Sequence, residues 1–335
     1  MPSPVFVMAA DLRSLPWTLA TTPGVTRESL GASAPEQPNR KPNRRAWPGL
    51  PERPKLSRRR PRPELALAAA LACLLGASAS WAQDAPASGA LRPLCPDRPS
   101  KGTSACTVDQ GHLQLETDLF NGTWDKAGGV STETYLFTNP TLKFGVTDAF
   151  DVEANIAPYE RMRTVDHNAG TSSTASGVGD LYLRGKLDFA GNHGGDLGLA
   201  VEGFVKAPTA AQGVGDGAWE GGALVPFSYS LPHGWSLGVT PEADVLLNAS
   251  GTGRHLAFVL PVGLSHAVGP LMGTVELWTA QDFDPAGTGR QYSFDLAAAW
   301  QPAKAPNLQI DGGVNLGLNS ATPDVQVYVG LARRF

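Results

Sequence analysis

The chain has 335 residues, a length that allows one large domain or two small ones. Only 17% of the residues are charged and 38 are glycine, and no apolar run after residue 82 approaches the ~18 residues of a spanning helix, which excludes a bundle of membrane helices. The net charge of −4 joins two unlike regions: residues 1–82 carry 12 Lys and Arg against 5 Asp and Glu, whereas residues 83–335 carry 15 against 26. That acidic body lacks the basic surface that phosphate backbones require, so nucleic acid is excluded as a partner.

Residues 1–57 are rich in Pro, Arg and Ser without sustained periodicity, and read as a disordered or misassigned N-terminal extension. Residues 58–82 read as a signal peptide. Arg58, Arg59, Arg60 and Arg62 precede the apolar run Leu65 to Leu75, and Ser80-Trp81-Ala82 offers a small-x-small cleavage site, with Ala77-Ser78-Ala79 as the alternative. Residues 83–111 are expected to form a short periplasmic N-terminal segment. Cys73 falls in the apolar run. Cys95 and Cys106, eleven positions apart, are an even pair in an exported chain and suggest a disulfide closing a small loop.

From residue 112 the dominant period is two, the signature of strands. His112 to Leu119 alternates, with Leu113, Leu115 and Leu119 on one face and Gln114, Glu116 and Asp118 on the other; Asp151 to Ile156 and Asp180 to Phe189 repeat the pattern. Twelve strands are predicted, near 112–124, 132–146, 150–160, 179–190, 196–207, 219–231, 235–247, 255–267, 271–281, 291–301, 308–318 and 324–335. Each is about the length of the 9–11 tilted residues that cross a bilayer. Val146 to Ala149, Pro232 to Gly234 and Val268 to Pro270 read as tight turns, and 161–178, 208–218 and 282–290 as longer loops rich in Gly, Ser, Thr and Asp. Short turns at one rim and long loops at the other fit a transmembrane antiparallel up-and-down β-barrel over 112–335.

The two faces differ as a bilayer requires. Glu116, Asp118, Glu153, Arg184, Lys186, Glu202, Lys206, Glu220, Glu242, Asp244, Glu276, Asp295 and Asp311 all take the polar parity of their strands and are the expected pore-lining residues. A charge on the lipid side would cost a few kcal/mol near the midplane. Trp219, Tyr229, Trp235 and Trp300 fall near strand ends, where an aromatic girdle sits. The last strand alternates back from Phe335 and reads as the C-terminal signal by which the barrel-assembly machinery recognises outer-membrane barrels.

Four segments, in order, resemble a known family. They are Cys95-Pro96-Asp97-Arg98-Pro99 with Gly111 to Thr117; Asn139-Pro140-Thr141-Leu142-Lys143-Phe144-Gly145-Val146-Thr147-Asp148; Gly177-Val178-Gly179-Asp180 continuing to Lys186; and Val205-Lys206-Ala207-Pro208-Thr209. The chain from about 95 to 335 resembles the outer-membrane family named for the MetA-pathway of phenol degradation. The resemblance implies a barrel in the outer membrane of a Gram-negative bacterium, with a role in uptake or efflux of small compounds, aromatic ones among the candidates.

Signals for catalysis are weak. His255, near Ser250 at the external rim, is the one loose candidate for a hydrolytic pair, and no Gly-x-Ser-x-Gly segment is present. Asp282 and Asp284 lie in a polar loop, where solvation is the default and calcium the alternative. No cofactor, metal ligand set or catalytic residue is assigned. The reading is a channel or transporter in which small solutes diffuse through a polar, acidic lumen with mild cation preference, unless side chains or the 161–178 loop plug it. An outer-membrane lipid hydrolase and a structural or adhesive surface barrel are the alternatives.

Overall fold

The computed structural model describes residues 91–335. The expected signal peptide, the extension before it and residues 83–90 lie outside the described residues. Seventeen β-segments follow in chain order: β1 (Leu113–Ala127), β2 (Val130–Thr138), β3 (Thr141–Thr147), β4 (Phe150–Ile156), β5 (Tyr159–Asp166), β6 (Thr171–Gly177), β7 (Leu181–Ala190), β8 (Leu197–Ala207), β9 (Glu220–Leu224), β10 (Phe227–Leu231), β11 (Trp235–Val239), β12 (Glu242–Leu247), β13 (Arg254–Val268), β14 (Leu271–Asp282), β15 (Gly289–Trp300), β16 (Leu308–Gly317) and β17 (Val325–Arg334).

Five consecutive pairs, β2–β3, β4–β5, β6–β7, β9–β10 and β11–β12, are each one barrel strand interrupted once. The wall therefore has twelve antiparallel strands, closed by pairing of β1 with β17. Pro140, Pro158, Pro226 and Pro241 stand at four of the interruptions. Proline offers no N–H to a ladder, but its carbonyl still accepts: the Ala200 and Val225 amides donate to Pro226 and Pro241, both at 2.9 Å. Closure leaves the wall without a free edge along the spanning strands, as a barrel in lipid needs.

Outward-facing side chains are apolar. Leu183, Leu187 and Phe189 on β7, Val201 and Val205 on β8, and Leu256, Phe258, Leu260 and Val262 on β13 are 38–53% exposed. Inward-facing ones are polar and buried, with Lys186, Glu116 and Glu202 at 0–1% exposure. A water-soluble fold has the opposite arrangement; lipid outside and charge inside explain this one. Trp219, Tyr229, Trp235 and Trp300 are all exposed on the outer surface. On β1 the pairing with β17 skips Leu119, so the inward set changes parity from Gln114, Glu116 and Asp118 to Asn121 and Thr123.

Turns at 148–149 and 269–270 are short, and the first residue of β1 and the last of β17 lie at that same rim, the turn rim; the opposite loop rim carries the connection 208–219. The stretch 161–178 corrects the sequence reading. It is not a loop but the paired segments β5 and β6, in register from Glu160 with Gly177 to Asp166 with Thr171. Polar residues on both faces hide the alternation, while Thr and Ser still pair well across strands. β2, β5 and β6 thus continue past the level of Leu181 and Ala207, where β8 ends.

Candidate functional site

Of residues 83–111, expected as a periplasmic N-terminal segment, the described part packs against the inner wall of the barrel, with its buried residues running from Leu94 to Asp109. Their backbone has no regular structure, and Cys95 and Cys106 are joined as a disulfide with Cα atoms 6.3 Å apart. The bridge gathers Asp97, Arg98 and Lys101 into one closed loop, and all three are 3% exposed. An uncompensated charge cannot stay in such a place, and each finds partners on the wall.

Arg98 donates to Asp118 at 2.5 Å and to Asp311 at 2.8 Å. Lys101 pairs with Asp295 at 3.2 Å, donates to the Ser293 hydroxyl at 2.7 Å, and lies 4.3 Å over the Trp278 ring. Backbone amides of the loop also donate to wall carboxylates: Asp97 to Glu116, and Lys101 and Gly102 to Glu276. Tyr328 closes the contact by donating its hydroxyl to the Pro99 carbonyl at 2.6 Å.

Asp97 is the acidic pole of the loop. It pairs with Lys143 and, at 2.8 Å, with Lys186, and it accepts from the Ser104 amide and hydroxyl. Burial alone would push its carboxyl up. The two ammonium groups outweigh burial and hold it well below the usual carboxylate range. Nearer the turn rim, burial likewise opposes ionisation of Asp109, and its bonds from Arg92 together with Arg334 hold it low.

Glycine makes room for the loop. A Cβ on Gly145 would stand 2.2 Å from the Asp109 carbonyl oxygen and 2.5 Å from that of Val108. The contact is secured by the Gly111 amide, which donates to the Gly145 carbonyl at 2.8 Å.

All thirteen expected pore-lining residues face inward, and all but the half-buried Glu220 are buried. Glu116, Asp118, Lys186, Glu276, Asp295 and Asp311 bond directly to the loop. Arg184 pairs with Glu202 at 2.9 Å. Glu153 lies 3.3 Å from Lys143 and 3.6 Å from Lys186. Toward the loop rim, Lys206 gathers Asp216, Glu220 and Asp180. Glu242 and Asp244 are buried together on β12. Asp97, Glu153 and Glu202 bring carboxylate oxygens within 4.8 Å of one another, but the Lys143 and Lys186 ammonium groups already stand among them. Among these charges stand inward-facing apolar groups, Tyr182 with Phe204 and Leu224, and Val259 with Trp278; Leu224 is in register with Glu202 and Glu242, and Val259 with Glu242.

The sequence reading missed Lys143, Asp97, Arg98 and Lys101. Lys143 was legible: between outward Leu142 and Phe144 it can only point inward. The loop residues carry no periodicity that would announce burial. His255 does not meet Ser250. Its Nε2 lies 2.7 Å from Asp282 and its Nδ1 is 3.0 Å from the Asn248 side chain, while the Ser250 hydroxyl bonds the Thr252 carbonyl. Phe335 is exposed, and its amide donates to the Leu113 carbonyl at 2.8 Å, completing the β1–β17 seam.

On the turn-rim side of the loop a cavity of about 320 Å³ separates it from the wall. Ser228, Ser236, Gly238, Gly263, Ser265 and Thr274 form much of its wall face.

Among solved structures, an outer membrane channel from Pseudomonas putida F1 superimposes with a TM-score of 0.53 at 14% identity, covering 69% of this chain and 98% of its own. The transport unit of the autotransporter AIDA-I from Escherichia coli gives 0.44 at 12% identity (67% and 89% covered), and the β domain of the Bordetella autotransporter BrkA gives 0.42 at 14% (68% and 100%). No curated protein matches the chain. The first of these likenesses shows the same fold, a closed antiparallel β-barrel, and the apolar outer surface is the one a barrel presents to lipid. Residues 96–335 match the family described by the MetA-pathway of phenol degradation, and the chain belongs to that family.

Proposed function

We propose that this protein is an outer-membrane channel for small molecules, with its lumen gated by its own N-terminal loop. The observation that carries the reading is the disulfide-closed loop held by ion pairs inside a closed barrel. A structural barrel needs no such insert. In a channel it limits flux to what passes beside the loop, or to moments when the loop moves.

The cavity beside the loop suits a small, partly polar solute. Its wall face combines short hydroxyl side chains and glycines with apolar Phe227, Leu237 and Met272, and Asp97, Arg98 and Glu276 also border it. An apolar cavity of about 150 Å³ already accepts benzene, so a single-ring compound fits with room for a hydroxyl. That size agrees with the phenolic chemistry in the family's description. The excess of lumenal carboxylates favours cations over anions.

Single-channel recording of the exported protein in planar bilayers tests this. Small, cation-preferring steps are expected from the wild type, and larger or more frequent openings from Arg98→Ala, which frees the loop from Asp118 and Asp311. A correctly folded barrel that stays silent in both forms overturns the channel reading.

A further inference from the structure

The outer face at the loop rim carries a cluster of exposed arginines and aromatic rings, apart from the lumen. Along β5, Tyr159, Arg161 and Arg163 share the outward parity, and Glu160 between them is buried. Both arginines are exposed, and neither has an ion-pair partner among the described residues. Arg161 stands opposite Tyr135 on β2 and Ser176 on β6. Arg163 stands opposite Glu133 and Thr174. A continuous aromatic patch adjoins them: Tyr135 stands level with Arg161 and Trp124 level with Glu133 and Arg163, while Phe120, Phe137 and Tyr159 lie toward the membrane. Phe137 and Tyr159 have ring centroids 6.1 Å apart, Phe120 reaches Phe137 at 6.4 Å and Tyr135 at 6.2 Å, and Trp124 meets Tyr135 edge-on at 5.8 Å.

A cation on the lipid parity of a barrel strand is costly at the midplane and nearly free at the interface. Aromatic rings mark that interface. The two arginines therefore stand at headgroup level, at the upper edge of a patch whose lower rings, Phe120, Phe137 and Tyr159, acyl chains cover. They are two residues apart on one strand face, roughly 7 Å along it, and guanidinium groups bind phosphate with paired hydrogen bonds. Thr174 and Ser176 add hydroxyls on the same face. In barrels the rim with longer connections is the outer one, so the lipid at this level belongs to the outer leaflet. Glu133 is the one acidic neighbour in this row.

We propose that Arg161 and Arg163, with the adjoining aromatic patch, form a binding site for the phosphorylated glycolipid of the outer leaflet, headgroup phosphates on the guanidinium pair and acyl chains on the lower rings. Charge complementarity selects the headgroup, and continuity with the lipid-facing band selects a lipid over a soluble anion.

The test is native mass spectrometry of the folded, detergent-solubilised barrel with three probes: bisphosphorylated lipid A, its dephosphorylated form and inorganic phosphate. The wild type should retain the bisphosphorylated lipid, keep little of the dephosphorylated one, and not be displaced by inorganic phosphate at equal concentration. The double variant Arg161→Gln/Arg163→Gln should lose retention by about tenfold, with Arg333→Gln at the turn rim as a control that does not. Heat-modifiable migration on gels verifies that each variant is folded, and the charge-keeping pair Arg161→Lys/Arg163→Lys should fall between wild type and the Gln variant. Equal retention of the two lipids, equal retention by the Gln variant, or full displacement by inorganic phosphate would overturn the proposal.

Discussion

Asp97 shows how one buried residue helps to hold the loop in the lumen. Its carboxylate is buried, yet it remains ionised because Lys143 and Lys186 close on it from the wall. A carboxyl held low in the folded protein stabilises it above the free value and loses that contribution only as pH falls through the depressed one. Starting from an ordinary value of 3.8 that is pushed well down, Asp97 stays charged from neutrality to about pH 4. Isotope-edited infrared difference spectra between wild type and Asp97→Asn should show the carboxylate stretch, and no protonated-acid carbonyl, over that range. A protonated signal at pH 5 would falsify the latch as described. Gly145 offers a steric test of the same seat: Gly145→Ala drives a Cβ into the Asp109 and Val108 carbonyls. Overpacking of this kind costs about 1–3 kcal/mol, taken here from loop docking rather than from the wall. Limited proteolysis near Arg92 and Lys101 should accelerate in the variant, while heat-modifiable gel migration is unchanged. Legibility at this scale was uneven. Lys143 and the thirteen charges declare their direction through alternation with apolar neighbours, whereas Asp97, Arg98 and Lys101 lie in an aperiodic Pro- and Ser-containing stretch where burial leaves no trace in the sequence.

Elements differ in what betrays them. The strands were readable because lipid on one side and polar contacts on the other enforce a strict period of two, and the twelve expected strands correspond to the twelve of the wall. The interruptions that split five of them into shorter segments, four of them at prolines, alter pairing locally without changing which face is which. β5 and β6 escaped because beyond the membrane no apolar side is enforced: Ser172, Ser173, Thr174 and Ser176 are all exposed, so hydrogen bonding alone maintains the hairpin. The loop closed by Cys95 and Cys106 is the opposite case, an element with no ladder at all, held by a covalent bridge and by ion pairs. In the chain-entropy view, a bridge spanning so short a segment contributes roughly 2–3 kcal/mol by restricting the open chain. Reduction, or the pair Cys95→Ala/Cys106→Ala, should leave the barrel folded but let the loop sample undocked positions. The expected readout is a higher open probability in bilayer recordings with unchanged thermal unfolding of the wall; identical gating in the two forms would assign docking to the ion pairs alone.

At the scale of the whole molecule, one inversion organises everything: apolar surface outward, charge inward. It explains how an acidic body of 26 Asp and Glu against 15 Lys and Arg can be stable in lipid, since the excess is sequestered behind the wall and partly neutralised there by Arg98, Lys101, Lys143 and Lys186. It also separates two kinds of arginine. Arg98 and Arg184 are buried and bonded to carboxylates, while Arg161, Arg163, Arg254 and Arg290 lie exposed near the loop rim. The inversion is testable on one strand. β13 runs from Arg254 to Val268 with Leu256, Phe258, Leu260 and Val262 on the outer parity, so its middle crosses the hydrocarbon and its first residue does not. Leu260→Arg places a guanidinium near the midplane and should destabilise the inserted barrel by about 2–4 kcal/mol, whereas Leu256→Arg, beside the natural Arg254, should cost only about 0–1 kcal/mol. Reversible urea unfolding in phospholipid vesicles reads both. Equal costs at the two positions would mean that β13 does not cross the bilayer as its exposed face indicates. A large gap fixes the depth of the strand and, with it, the headgroup level at which the outward arginines stand.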